Sequence, residues 1–131
     1  MATTALTAES FESTVLDNDI VFVDFWASWC GPCRMFGPVL EAVSEANPDI
    51  TFGKVDTEAQ RSLAASARIT SIPTLMAFRE GVLVFSQPGA LVAAGLSELI
   101  TAVRDLDMDH VHQQIAEQAA TATTSQQSVS S

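Results

Sequence analysis

The sequence predicts an α/β domain in which a mixed central β-sheet carries helices on both faces. Three observations lead there. An almost unbroken apolar run, Ile20 to Trp26, stops at a turn, and helical periodicity starts just beyond it. A second apolar run, Ile50 to Val55, comes after that helical stretch and completes a strand–helix–strand unit. Two more runs, Thr74 to Phe78 and Val82 to Phe85, are separated only by Arg79-Glu80-Gly81 and read as a hairpin. A strand–helix–strand unit followed by a hairpin and a helix gives a mixed sheet covered on both sides.

In chain order, Leu6 to Ser10 is a helix entry, with Thr7 as N-cap and Glu9 near the positive helix end. Phe11, Val15 and Leu16 supply a short apolar face, and Asp17-Asn18-Asp19 closes that helix. The Ile20–Trp26 run is nearly continuous instead of alternating, as in a strand buried on both faces. After Cys30, the residues Phe36, Val39, Leu40 and Val43 recur at helical spacing as far as Asn47-Pro48-Asp49. Pro38 falls inside this helix, removes the bond to the Arg34 carbonyl and predicts a kink. Thr57-Glu58-Ala59-Gln60 has capping-box spacing and predicts a short helix to about Ala67. Beyond the hairpin, Gln87-Pro88-Gly89 is a turn, and Leu96, Leu99, Ile100 and Val103 share one face of a further helix.

These elements make one domain, residues 1–104. From Asp105 the character changes. Met108, Val111, Ile115 and Ala119 keep one narrow apolar line, which predicts a helical extension over 105–120 with Asp107 as its cap. Residues 121–131 carry no charge, have only Ala122 and Val129 as apolar residues, and are expected to form a disordered polar tail.

At 131 residues and 47% hydrophobic, the chain has the length of one domain and enough apolar content for a core. The formal net charge of −10, with Lys54 as the one lysine, argues against nucleic acid and anionic membranes as partners. Solubility is the ordinary reading of such acidity. No apolar run reaches membrane-spanning length. Met1 to Thr7 has neither a basic n-region nor an apolar h-region, so no secretory signal is read there and a cytoplasmic address is expected. In that compartment a cysteine pair is catalytic or metal-binding more often than a structural staple.

The two cysteines stand where the first strand meets its helix, in Trp29-Cys30-Gly31-Pro32-Cys33. A thiol attacks only as its thiolate, and first-turn amides together with the helix dipole favour that anion at Cys30. Two intervening residues let Cys33 reach Cys30 within one turn. Gly31 permits the tight turn, and Pro32 fixes φ at the helix start without wasting a donor. Cys33, one turn further in, is expected to be the less accessible sulfur. The resulting order is attack by Cys30 on a target disulfide and resolution by Cys33. The competing use of Cys-x-x-Cys is half of a zinc site. Zinc wants four ligands, no second such pair exists, and His110 and His112 lie far along the chain on different sides of a helix. No metal is therefore expected, and both histidines read as solvated.

Asp24 is a carboxylate inside an apolar strand, where burial raises its pKa. Two readings stand together: a salt bridge with Lys54 in the neighbouring strand, and a general base that takes the proton of Cys33. Trp26 reads as core. Trp29, next to Cys30, reads as an exposed apolar rim for docking polypeptide. Pro73, in Ser71-Ile72-Pro73-Thr74, opens a strand and is by itself an ordinary strand-start proline.

Val23 to Cys33, Pro38, Lys54-Val55-Asp56, Ser71-Ile72-Pro73-Thr74, Gly81 and Gly89-Ala90-Leu91 run in the order and near the spacing of the thioredoxin family, which the chain resembles over roughly residues 5–104. The resemblance implies the thioredoxin fold, with the dithiol at the start of the second helix. It implies Cys30 as nucleophile, Cys33 as resolving thiol, Asp24 as proton acceptor with Lys54 as its neighbour, and a cis Pro73 facing the disulfide. It also implies a target-docking surface made by Trp29, Gly31, Pro32, Ile72, Pro73 and Gly89. Partners would be disulfide-containing target proteins and a flavin-dependent thioredoxin reductase that restores the dithiol with NADPH. The chain itself would carry no cofactor beyond the Cys30–Cys33 disulfide and would act as a monomer. Gly31-Pro32 is the reductase-type dipeptide of that family, which favours a general protein-disulfide reductase. Three departures stand out: Arg34 where lysine is common, Pro88 where a residue with an amide proton is usual, and the extension from Asp105 to Ser131. The extension and Pro88 motivate a second reading, an interaction subunit that docks a partner. A disulfide isomerase or oxidase would require export.

Overall fold

The structure is a computed structural model that describes the backbone of residues 2–130 and the side chains as far as residue 120. Its elements in order are β1 (Thr3–Ala5), α1 (Phe11–Asp17), β2 (Ile20–Trp26), α2 (Gly31–Ala46), β3 (Thr51–Asp56), α3 (Arg61–Ser66), β4 (Thr74–Arg79), β5 (Val82–Pro88), α4 (Ala93–Arg104) and α5 (Met108–Ser130). The five strands form one sheet in the order β1-β3-β2-β4-β5. β1, β3 and β2 run parallel, whereas β4 is antiparallel to both β2 and β5. The mixed sheet read from the sequence is the sheet observed.

Alternation along the strands sorts the core into two layers. Ile20, Phe22, Phe52, Leu75 and Ala77 face α2 and α4, where they pack on Phe36, Leu40, Leu96 and Ile100. Val21, Val23, Phe25, Val55, Met76 and Phe78 face α1 and α3, against Phe11, Val15 and Leu63. β2 lies at the centre of both layers, and Ile20 to Phe25 are all buried. The continuous apolar run thus has its expected cause.

β1 has no counterpart in the sequence reading. It is three residues long and only partly buried, too short for a periodic signal. The next residue fixes its place at the sheet edge: Leu6 is buried, and its N–H donates to the Lys54 carbonyl. Thr7 caps a turn that precedes α1, whereas the N-cap of α1 itself is Ser10, without a side-chain cap bond. In that turn Thr7 Oγ1 accepts from the Ser10 N–H while Ser10 Oγ accepts from the Thr7 N–H, and regular α-helix begins at Phe11. The capping box at Thr57–Gln60 does not form. Asp56 Oδ1 instead accepts from the Glu58 and Ala59 amides, because Thr57 is drawn to the Trp26 carbonyl through both its N–H and its hydroxyl.

Glu80 and Gly81 both have positive φ, 52° and 79°, which is the twist that a two-residue hairpin turn requires. At the same end of the sheet, Arg79 Nη1 donates to the carbonyls of Val103, Arg104 and Leu106 and so closes the C-terminus of α4. Asp107 Oδ1 accepts from the His110 amide and opens α5, as expected. α5 extends to Ser130, beyond the helix end read near residue 120. His112 is not simply solvated, since its Nε2 lies 3.2 Å from Glu80 Oε1.

Gly53 is the tightest glycine of the sheet. A Cβ there would overlap the buried Leu6 side chain. Gly53→Ala is expected to cost about 1–3 kcal/mol through overpacking. In urea the unfolding midpoint should fall with an unchanged slope. An unaltered midpoint would mean that Leu6 moves aside freely.

Candidate active site

Strand directions bring the functional loops to one end of the sheet. β2 ends at Trp26, β3 ends beside it at Asp56, and β4, being antiparallel, begins there at Thr74. Pro88, at the end of β5, pairs with Thr74. Cys30, Glu58, Pro73 and Gly89 are therefore neighbours although up to 59 positions separate them in the chain.

Cys30 is the N-cap of α2, with extended backbone, and its Sγ accepts a hydrogen bond of 3.2 Å from the Cys33 amide. Cys30 and Cys33 are joined as a disulfide, with Cα atoms 5.2 Å apart. The expected difference in access is absent in this oxidised state, because both residues are only 4% exposed. Cys30 is covered by the segment before β4, whose Ile72 carbonyl oxygen lies 3.7 Å from Sγ. The Ile72–Pro73 peptide is cis. Pro73 is buried, and its carbonyl accepts the Gly89 N–H at 2.8 Å. Gly89 has φ 106°, a conformation that side chains rarely adopt.

Alternation puts Asp24 on the α2 face of β2 with Phe22, and its register partner is Lys54. The carboxyl is fully buried, and neither oxygen has a hydrogen-bond partner. The salt bridge with Lys54 does not form. Lys54 Nζ instead stands 4.8 Å from the centroid of the Trp26 ring, beneath α2 near Gly37. Burial pushes the Asp24 carboxyl up from 3.8 to about 6, and the charge of Lys54 offsets only part of that rise. A cavity of about 310 Å³, lined by Trp26, Cys33, Arg34, Gly37, Pro38, Glu41 and Lys54, reaches this region from solvent.

Trp29 is 64% exposed and borders a second cavity of about 320 Å³ together with Ile72 and Ser71. Its Nε1 donates to Glu58 Oε1, and Glu58 is held in turn by Arg61. Glu58 escaped the sequence reading, since nothing in a surface Glu–Arg pair points to a tryptophan 29 residues away. Gly31, Pro32 and Gly89 are exposed and Ile72 is half-buried, so the expected docking residues do share one end of the molecule. A roomier apolar groove of about 510 Å³ lies on the α1/α3 face, lined by Phe11, Leu16, Met76 and Leu83 among others. It holds no thiol or histidine, so the dithiol defines the site. Among the described residues no group of three or more His, Cys, Asp or Glu is arranged to hold a metal, and no helix is long and apolar enough to cross a membrane.

Two sulfurs that close and reopen a bond within one helical turn do the chemistry of a dithiol–disulfide oxidoreductase. Comparison with known proteins gives the family. The Thioredoxin family model matches residues 2–102. The chain is 59% identical over 121 residues to "Putative thioredoxin 2" of Streptomyces coelicolor, covering 92% of this chain and 90% of that one. It is 43% identical over 109 residues to thioredoxin of Mycobacterium bovis, covering 81% and 94%. Among solved structures, a mutant thioredoxin from Halobacterium salinarum superposes with a TM-score of 0.74 at 31% identity, covering 79% of this chain and 92% of that one. The chain belongs to the thioredoxin family and is a disulfide oxidoreductase of that family with a redox-active cysteine pair.

The Asp24 carboxyl titrates higher in the folded chain than in the unfolded one. Its contribution to stability is full below about pH 4 and is lost as pH rises through about 6, a difference worth about 3 kcal/mol. In the oxidised protein, Asp24→Asn should change stability little at about pH 3.5 and raise it by up to about 3 kcal/mol at about pH 7.5. Denaturant titrations at the two pH values test this, and equal stability of both proteins at the higher pH would contradict it.

Proposed function

We propose that the protein is a general protein-disulfide reductase, in which the Cys30/Cys33 dithiol reduces target disulfides and an NADPH-dependent, flavin-containing thioredoxin reductase restores it. The observation that carries this reading is the hydrogen bond from the Cys33 amide to Cys30 Sγ at the first turn of α2. An amide aimed at sulfur, at the positive end of a 16-residue helix, favours the thiolate over the thiol. Only the thiolate is nucleophilic, a rule for which thioredoxins are themselves a standard example.

Cys30 thiolate attacks one sulfur of the target disulfide, forms a mixed disulfide and releases the other target sulfur as thiolate. Asp24 takes the proton of Cys33. The Cys33 thiolate then attacks Cys30 Sγ, the internal disulfide forms, and the second target sulfur leaves as thiolate. Two electrons pass to the target, and its two thiolates take up protons from solvent. An Asp24 pKa of about 6 supports the acceptor role, because a base works best when its pKa lies near the working pH. Lys54 eases the cost of the carboxylate form in which Asp24 must stand before it takes that proton. The cavity that reaches Cys33 and Lys54 gives the proton a path outward.

Trp29, Gly31, Pro32, Ile72, Pro73 and Gly89 form the docking end in this reading, and the acidic chain works as a cytoplasmic monomer without nucleic acid or membrane. Residues 1–104 are the working domain. The extension is attached at the hairpin end, through Glu80 and the carbonyls that Arg79 binds. That is the full length of β2 from the disulfide, about 20 Å for seven residues. The described contacts of the extension, at Glu80 and at the Leu106 carbonyl, are with the hairpin end.

Cys30→Ser is expected to abolish NADPH-driven reduction of a protein disulfide in the presence of thioredoxin reductase. Cys33→Ser should instead stall as a covalent adduct with the target, visible by intact-mass measurement. Ordinary turnover by either variant would refute the scheme.

A further inference from the structure

Large apolar side chains left open to solvent fall into two groups among the described residues: Leu16, Leu83 and Ile115 away from the dithiol, and Trp29, Met35 and Val92 on segments that meet at it. Trp29 immediately precedes Cys30. Met35 is 77% exposed and stands one turn beyond Gly31 on the same outer face of α2, while Phe36 supplies the buried face. Val92 is 73% exposed and lies three residues beyond Gly89, whose amide is tied to Pro73. Three residues of chain span at most about 11 Å.

Val92 is the telling position. It is the N-cap of α4, with extended backbone and no side-chain cap bond. Serine, threonine, aspartate or asparagine would satisfy an amide of the first turn there, and valine is among the poorest choices. Packing does not account for it. The side chain is largely open to solvent, and its Cγ2 lies 4.0 Å from a Cβ built on Gly95, within its own helix. An exposed branched apolar group thus stands where local stability asks for a small polar one, beside the redox face.

We propose that Val92 and Met35 are specificity-determining contacts which select protein disulfides flanked by aliphatic side chains. This rests on the reductase reading and deepens it. The occupant is set by continuity with the dithiol. A polypeptide whose disulfide has reached Cys30 must lay the residues on either side of it over the surface around Gly31 and Gly89, where Met35 and Val92 meet them. Burying an aliphatic neighbour there removes apolar surface from water on both partners. A polar neighbour gains nothing.

The test uses the full-length reduced chain and two otherwise identical peptides with an intramolecular disulfide, one flanked by leucine and one by serine. The wild type should reduce the leucine peptide with a kcat/KM roughly fivefold higher or more, the scale of one modest apolar contact. Val92→Ser should lower that ratio at least about twofold while raising the thermal midpoint by roughly 3–6 °C, because it restores a cap. Val92→Ile should keep the ratio without the rise. Met35→Gln should lower the ratio as well. Equal rates on the two peptides in the wild type, or a ratio that survives both polar substitutions, would overturn the proposal. Reduction of neither peptide by the wild type would overturn the reductase reading itself.

Discussion

A helix that begins where the buried central strand ends leaves unpaired amide groups at that end of the sheet, and here one of them points at sulfur. The Cys33 amide donates to Cys30 Sγ, so the same bond caps α2 and favours the anionic form of the attacking atom. The surrounding structure keeps that junction in one position. β2 is clamped between β3 and β4 and buried on both faces, so its last residue has little freedom. The Ile72–Pro73 segment closes over Cys30, and Gly89 holds that segment in place through the Pro73 carbonyl.

The same arrangement carries a cost in Asp24. A carboxyl with no hydrogen-bond partner in the centre of the sheet opposes folding at neutral pH, and Lys54 relieves only part of this from its position over Trp26. An apolar residue would serve the core better. The group makes sense as the acceptor for a proton that must leave Cys33 only after Cys30 has formed its mixed disulfide. Val92 repeats the pattern at smaller scale, since a residue unfavourable to its own helix is tolerated beside the redox face. Departures from local optimality cluster where function is expected to exact them.

Much of this was legible in the sequence, for physical reasons. Ile20–Trp26 could be read because burial on both faces leaves an unbroken apolar run, and the hairpin because Glu80-Gly81 sits between two such runs. Cys30 and Cys33 could be read because their chemistry depends on spacing within one turn. The features that escaped depend on contacts distant in sequence. β1 is three residues whose pairing is secured by Leu6, and Asp56 rather than Thr57 caps the turn before α3 because Thr57 is bound to Trp26. The orientation of Trp29 rests on Glu58, and the equal burial of both sulfurs rests on a segment 42 residues from Cys30. Periodicity carries no information of that kind.

The most direct test of the central claim is the titration of the Cys30 thiol in the reduced protein, followed by the ultraviolet absorbance of its thiolate, with Cys33→Ser used to isolate the single sulfur. Stabilisation of the anion by the first turn of α2 predicts a thiol pKa clearly below the ordinary value of about 8.5. A Cys30 pKa at or above that value in the folded, reduced chain would contradict it, because the helix start would then be a structural cap and not the source of the nucleophile.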